Sequence, residues 1–176
     1  MRCEVRGVGC EVSRTAIVAL GSNLGESPTL IRRAMERLQE FSDHPILKSS
    51  LWETTPVDCP PGSPPFVNAV VGLVPRADET PESLLVKLQT LEKEFGRAPK
   101  QVLNEPRPLD LDLIAFGAET RATPQFTLPH PRACRRRFVL EPLSEIAPAL
   151  ILPGQTAPVA ALLAALPAGN DVLRLG

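Results

Sequence analysis

The chain has 176 residues, 43% of them hydrophobic, which suits one domain with a substantial core and is short for two domains of ordinary size. With 19 basic and 20 acidic residues the formal net charge is -1, so no overall field recruits nucleic acid or an anionic membrane, and any basic site is local. No stretch approaches the ~18 consecutive apolar residues of a membrane span.

In chain order, the opening MRCEVRGVGCEVSR lacks the apolar run of a secretory signal and shows no regular pattern. Residues 1–14 are expected to be a disordered leader, residues 15–176 a single domain, and the protein cytoplasmic. The cysteines at 3, 10, 59 and 134 form no CxxC pair and no regular spacing, so they read as reduced thiols.

TAIVALGS, Thr15 to Ser22, is a β-branched apolar run ending in the turn residues Ser22-Asn23-Leu24-Gly25, the pattern of a buried strand. A helix is predicted next, with Ser27 as N-cap, Pro28 as first helical residue, and Leu30, Ile31, Ala34, Leu38 and Phe41 at helical spacing. PILKSSLWET (45–54) and FVNAVVGLV (66–74) read as two further strands. Between them TPVDCPPGSPP holds five prolines and a glycine in eleven residues, which makes it a stiff loop. A second helix starts near Pro81, buries Leu84, Leu85, Leu88, Leu91 and Phe95, and stops at Gly96. A loop from Arg97 to Pro106 leads into RPLDLDLIAFG, and an Ala/Leu-rich helix near Val159 to Leu166 follows later.

The order from Thr15 to Phe116 is β-α-β-β-α-β. That is the ferredoxin-like α+β plan: an antiparallel sheet with helices on one face, here followed by extra C-terminal elements. The other face is expected to be open for binding.

Asp110 and Asp112 stand in the last of these strands. Alternation points both to one face while Leu109, Leu111 and Leu113 point to the helices. Same-face neighbours are about 6.6 Å apart, so two ionised carboxylates there repel, and a divalent cation relieves the conflict. A plainly solvated strand face is the other reading. Arg97 and Arg107 flank the pair; surface salt bridges are one reading, but a guanidinium is also a planar fork suited to phosphate oxygens. Gln89 and Glu92 share a helical face, suited either to a nucleotide or to solvent. His130 is held extended between Pro129 and Pro131, and Arg135, Arg136 and Arg137 follow it. Neither a P-loop nor a GxGxxG fingerprint occurs, so phosphate charge falls to metal and arginine.

Taken together, ALGSNLG (19–25), FVNAVV (66–71), Gln89 with Leu91-Glu92, Gly96-Arg97, PRPLDLDLIAFG (106–117), LPHPR (128–132) and RFVLEPLSEIAP (137–148) resemble the 6-hydroxymethyl-7,8-dihydropterin pyrophosphokinase family of folate biosynthesis. The resemblance spans about Thr15 to Pro153. It implies transfer of the pyrophosphoryl group of ATP to the pterin hydroxymethyl oxygen with release of AMP, by a monomer acting on small molecules. It further implies two Mg²⁺ ions on Asp110 and Asp112, with catalysis by Arg97 and Arg107 together with this pair. ATP contacts implied are Gln89, Glu92, Arg107, Leu113, His130 and Arg136; pterin contacts are Thr54, Val57, Asn68 and Phe138.

The sequence departs from the family pattern at Asn104-Glu105, where Trp-Gly is frequent, and at Pro99, where a basic residue is usual. Arg137 replaces a small residue, which leaves Arg136 and Arg137 as competing phosphate ligands. The rival reading is a non-catalytic ferredoxin-like module that binds nucleotide or RNA. The low aromatic content of 4% and the acidic pair count against an RNA-binding sheet.

Overall fold

The first strand, β1 (Ala16–Ser22), runs through the middle of an antiparallel sheet between β4 (Phe66–Leu73) and β5 (Asp110–Phe116). The structure, a computed structural model, describes residues 14–56, 59–99, 105–169 and 172–176. Among these no helix is long and apolar enough to cross a membrane. The expectations for residues 1–13, Cys3 and Cys10 included, lie outside the described residues.

PILKSSLWET forms two short strands, β2 (Leu47–Lys48) and β3 (Trp52–Thr54), both paired to β4. The interruption has a local cause: at Ser49 the backbone N–H bonds Val70 O while the hydroxyl accepts the Val70 N–H. A hairpin of two-residue strands, β6 (Arg121–Ala122) and β7 (Thr127–Leu128), follows β5. The last strand, β8 (Val172–Arg174), adds to the edge at β3, giving the order β5-β1-β4-β3-β8. The β5-β1-β4-β3 core is the ferredoxin-like arrangement expected from the element order.

Two helices cover one face. In α1 (Ser27–Leu38), Ile31, Ala34, Met35 and Leu38 point inward. In α2 (Pro81–Glu94), Leu84, Leu88 and Leu91 do the same, and all pack on Val18, Leu20, Val71, Leu111 and Leu113 of the sheet. Thr80 caps α2 with a reciprocal pair of bonds to Ser83, and Gly96 takes φ 89°, the left-handed turn that ends the helix. Ser27 is not the N-cap of α1; that place belongs to Glu26, and the Ser27 hydroxyl instead accepts a bond from Ser22 Oγ at 2.9 Å.

The second face is not wholly open. Helices α3 (Arg137–Ile146) and α4 (Val159–Ala165) pack Val139, Leu140, Leu143 and Val159 on Ile17, Val70, Ile114 and Ala115. β5 supplies both cores: alternation sets Ile114 on the second face, and the register shift against β1 between Ile17 and Val18 lets Ala115 join it there before Phe116 returns to the first core. What stays uncovered is the end of the sheet carrying Gly21, Asn68, Asp110 and Asp112.

Candidate active site

Sheet register builds the floor of this site. Gly21 lies between Asn68 of β4 and Asp110 of β5, and Ala19 lies opposite Asp112. Residues directly opposite on paired strands share a face, so two small residues of β1 leave room between the acids and the Asn68 amide. A Cβ on Gly21 would come 3.2 Å from Asn68 Oδ1. The resulting cavity holds about 610 Å³ and brings together Thr54, Asn68, Arg97, Arg107, Asp110, Asp112, His130, Arg136 and Phe138. Nine of the predicted site residues thus meet in one place.

The acidic wall is tightly connected on one side only. Arg97 donates to Asp110 at 2.6 Å and also pairs with Glu92. Glu92 is buried and accepts the Leu111 N–H at 2.7 Å, so it clamps the β5 backbone between the two aspartates. Burial lifts the Glu92 carboxyl to about 7 despite that bond and Arg97. The Asp112 carboxylate, in contrast, makes no hydrogen bond among the described residues. Burial and then the Asp110 charge push its carboxyl upward, against His130, Arg136 and Arg107.

Opposite the acids, the His130 N–H donates to Ile114 O at 2.8 Å, and its Nδ1 accepts the Arg132 N–H at 3.2 Å. An Nδ1 that accepts leaves the proton of the neutral ring on Nε2. Burial, assisted by Arg136 and Arg132, lowers the His130 pKa and favours that neutral form, with Asp112 opposing. Arg136 carries no ion pair among the described residues and lies over the Phe138 ring at 5.3 Å. Its pKa is lowered by burial and then by Arg132. Arg137 also lines the cavity, but its guanidinium is engaged, donating to Glu141 at 2.6 Å and to Pro167 O at 2.9 Å. The Arg136/Arg137 ambiguity therefore favours Arg136 as the free guanidinium.

On the far wall, the Asn68 amide donates to Thr54 Oγ1 at 2.7 Å, and both residues are buried. That bond fixes the amide orientation and leaves Oδ1 toward Gly21 and the cavity. Leu113 lines a smaller cavity of about 250 Å³ with Leu85, Leu111, Phe126 and Thr127, which shares Asp112 and His130 with the larger one. Gln89 is exposed on α2 and lines neither cavity. Val57 and Asn104 lie outside the described residues.

Two contributors escaped the sequence reading. Gly21 reads in the sequence only as a residue near the end of the first strand. Asn23, buried at the end of β1, exchanges backbone and side-chain bonds with Arg107 at 3.1 and 2.9 Å and donates to Pro64 O at 3.4 Å, tying the arginine loop to the proline-rich loop.

Comparison with known proteins settles the family. The profile described as 7,8-dihydro-6-hydroxymethylpterin-pyrophosphokinase (HPPK) matches residues 17–148. The chain belongs to the HPPK family. It is 38% identical over 136 residues to the 2-amino-4-hydroxy-6-hydroxymethyldihydropteridine pyrophosphokinase of Bacillus subtilis, covering 77% of this chain and 79% of the relative. The enzyme of the same name from Pseudomonas aeruginosa is 38% identical over 137 residues, covering 77% and 82%. Among solved structures, wild-type HPPK-DHPS of Plasmodium falciparum superposes with a TM-score of 0.66 at 15% identity, over 86% of this chain and 44% of that one. This HPPK chain thus spans under half of that solved chain, and the likeness there is one of fold. The match to the family covers β1 through α3 and stops before α4 and β8.

Proposed function

We propose that the cavity transfers the pyrophosphoryl group of ATP to the hydroxymethyl oxygen of 6-hydroxymethyl-7,8-dihydropterin, releasing AMP, as a step of folate biosynthesis. The observation that carries this reading is the division of a single cavity into a wall of two carboxylates, six arginines (Arg97, Arg107 and Arg136 among them) and His130, and a wall of Thr54, Asn68 and Phe138. The first suits a triphosphate and the second a flat, hydrogen-bonding heterocycle.

The donor set fits Mg²⁺. Two hard carboxylates face the cavity together, one of them without a hydrogen-bond partner among the described residues, and no cluster of three or more His, Cys, Asp or Glu surrounds them there. Such a platform relies on water and substrate phosphate for its remaining ligands. Asp110 and Asp112 are the residues that would hold the two ions. When bound, the ions neutralise the triphosphate and the oxygen that departs with AMP.

The chain's own groups do the rest by position and charge. The pterin hydroxyl oxygen forms a bond to the β-phosphorus and releases its proton to solvent as the bond from that phosphorus to the AMP oxygen breaks, and no side-chain nucleophile takes part. Arg97 and Arg107 hold the transferring group, and Arg136 with the Nε2–H of neutral His130 adds donors on the opposite side. The apolar cavity at Leu85, Leu113 and Phe126 accepts the purine base. The amide of Asn68, held by Thr54, reads the pterin edge, and Phe138 packs against its ring. Glu92 acts through others, orienting Arg97 and the backbone between the two aspartates.

The test is chromatographic. AMP formation requires ATP, Mg²⁺ and the pterin together, and Asp110→Ala or Asp112→Ala removes it. A variant of either aspartate with undiminished turnover overturns the assignment of the acidic wall.

A further inference from the structure

β8 lies some twenty residues beyond the end of the family match, yet it reaches the cavity. Its register sets Val172 opposite Thr54 and Arg174 opposite Trp52, and Val172 lines the pterin side of the cavity, half-buried. The row Phe66, Thr54, Val172 runs across β4, β3 and β8 on the site face. Its middle member is the residue that holds the Asn68 amide.

A three-residue edge strand is weak by itself, so what pins it matters. Arg174 donates to Ser50 Oγ at 3.0 and 2.7 Å and to Glu145 at 2.9 Å. Glu145, from α3, also accepts the Ser50 N–H, the Ser50 hydroxyl and the Trp52 indole N–H. These bonds hold the Glu145 carboxyl below its ordinary range, although burial opposes them. The Leu175 N–H adds a bond to Leu51 O at 2.8 Å, and its side chain packs on the main core. One carboxylate therefore joins α3, β3 and β8 just outside the pocket. A lone exposed ion pair does little, but a network converging on one acceptor can fix a register.

We propose that Val172 is a specificity-determining residue of the pterin pocket, supplied by the C-terminal strand, and that Arg174 is a positioning residue that keeps it in register through Glu145 and Ser50. A β-branched apolar side chain beside Thr54 limits the bulk that the pocket admits next to the reading amide. The inference rests on the pterin reading of that half of the cavity.

The experiment compares steady-state KM values for ATP and for 6-hydroxymethyl-7,8-dihydropterin, with thermal stability measured on the same preparations. Val172→Phe is expected to raise the pterin KM at least about tenfold while leaving the ATP KM within about twofold. Arg174→Ala raises the pterin KM by a smaller factor, and Arg174→Lys, which keeps a donor to Glu145, recovers part of the loss. An unchanged pterin KM in Val172→Phe overturns the inference, as does a rise in both KM values that follows the loss of thermal stability. A wild-type enzyme without pterin-dependent AMP formation overturns the functional reading itself, and this inference with it.

Discussion

Replacing Glu92 by glutamine separates the charge of this side chain from its hydrogen bonding. Burial raises the carboxyl from 4.5 to about 7 in the folded protein. Since the folded value lies above the unfolded one, the folded state binds more protons. Stability from this group is complete below about pH 4.5 and is lost as pH rises through about 7. The full shift corresponds to roughly 3 kcal/mol, of which about 2 kcal/mol falls between pH 5.5 and 8. Glutamine keeps an oxygen to accept the Leu111 N–H but cannot ionise, so this component disappears in Glu92→Gln. Urea unfolding at the two pH values, without nucleotide or metal, measures it. The stability difference between variant and wild type is expected to move by about 2 kcal/mol in favour of the variant at the higher pH. A difference that stays constant across the two values refutes the burial argument, because Glu92 then does not titrate in this window.

Two further expectations concern the walls of the site. Gly21→Ala places a methyl group 3.2 Å from Asn68 Oδ1, so the amide must shift by a few tenths of an ångström; the pterin KM rises roughly tenfold in initial-rate assays while ATP affinity holds. Arg136→Ala weakens ATP binding about 10- to 100-fold by calorimetry, since its guanidinium is free for phosphate. Arg137→Ala has the smaller effect on ATP and costs about 1 kcal/mol of stability through the partly buried Glu141 pair; the reverse ranking would reassign the phosphate contact.

Much of this architecture was legible in the sequence because local chemistry and tertiary outcome agree. The D-x-D alternation survives as written: Leu109, Leu111 and Leu113 join the helical core while both aspartates face the cavity. Thr80, Pro81 and Gly96 mark the ends of α2 through capping and a left-handed turn. The misses have long-range causes. Nothing in PILKSSLWET announces that Ser49 will exchange bonds with Val70 and split the strand. Cover of the second face comes from Val139, Leu140, Leu143 and Val159, far along the chain, and the register shift in β5 that adds Ala115 to that face is invisible to simple alternation. Asn23 reads as a turn residue, and only the fold reveals that it ties Arg107 to Pro64. Gln89 and Glu92 share a helical face, yet Glu92 is buried where it accepts the Leu111 N–H of β5, while Gln89, one turn earlier, stays exposed. Val172 lies beyond every motif that carries the family resemblance, and sheet pairing alone brings it to Thr54.

The central claim is that Asp110 and Asp112 stand together because the nucleotide brings divalent cations to them. Titration calorimetry of a non-hydrolysable ATP analogue, with and without Mg²⁺, tests it most directly in the wild type and in Asp112→Asn. The account predicts that Mg²⁺ tightens binding at least about tenfold in the wild type and that the variant loses this gain. Equal affinity in the presence and absence of Mg²⁺, or an undiminished gain in the variant, contradicts it.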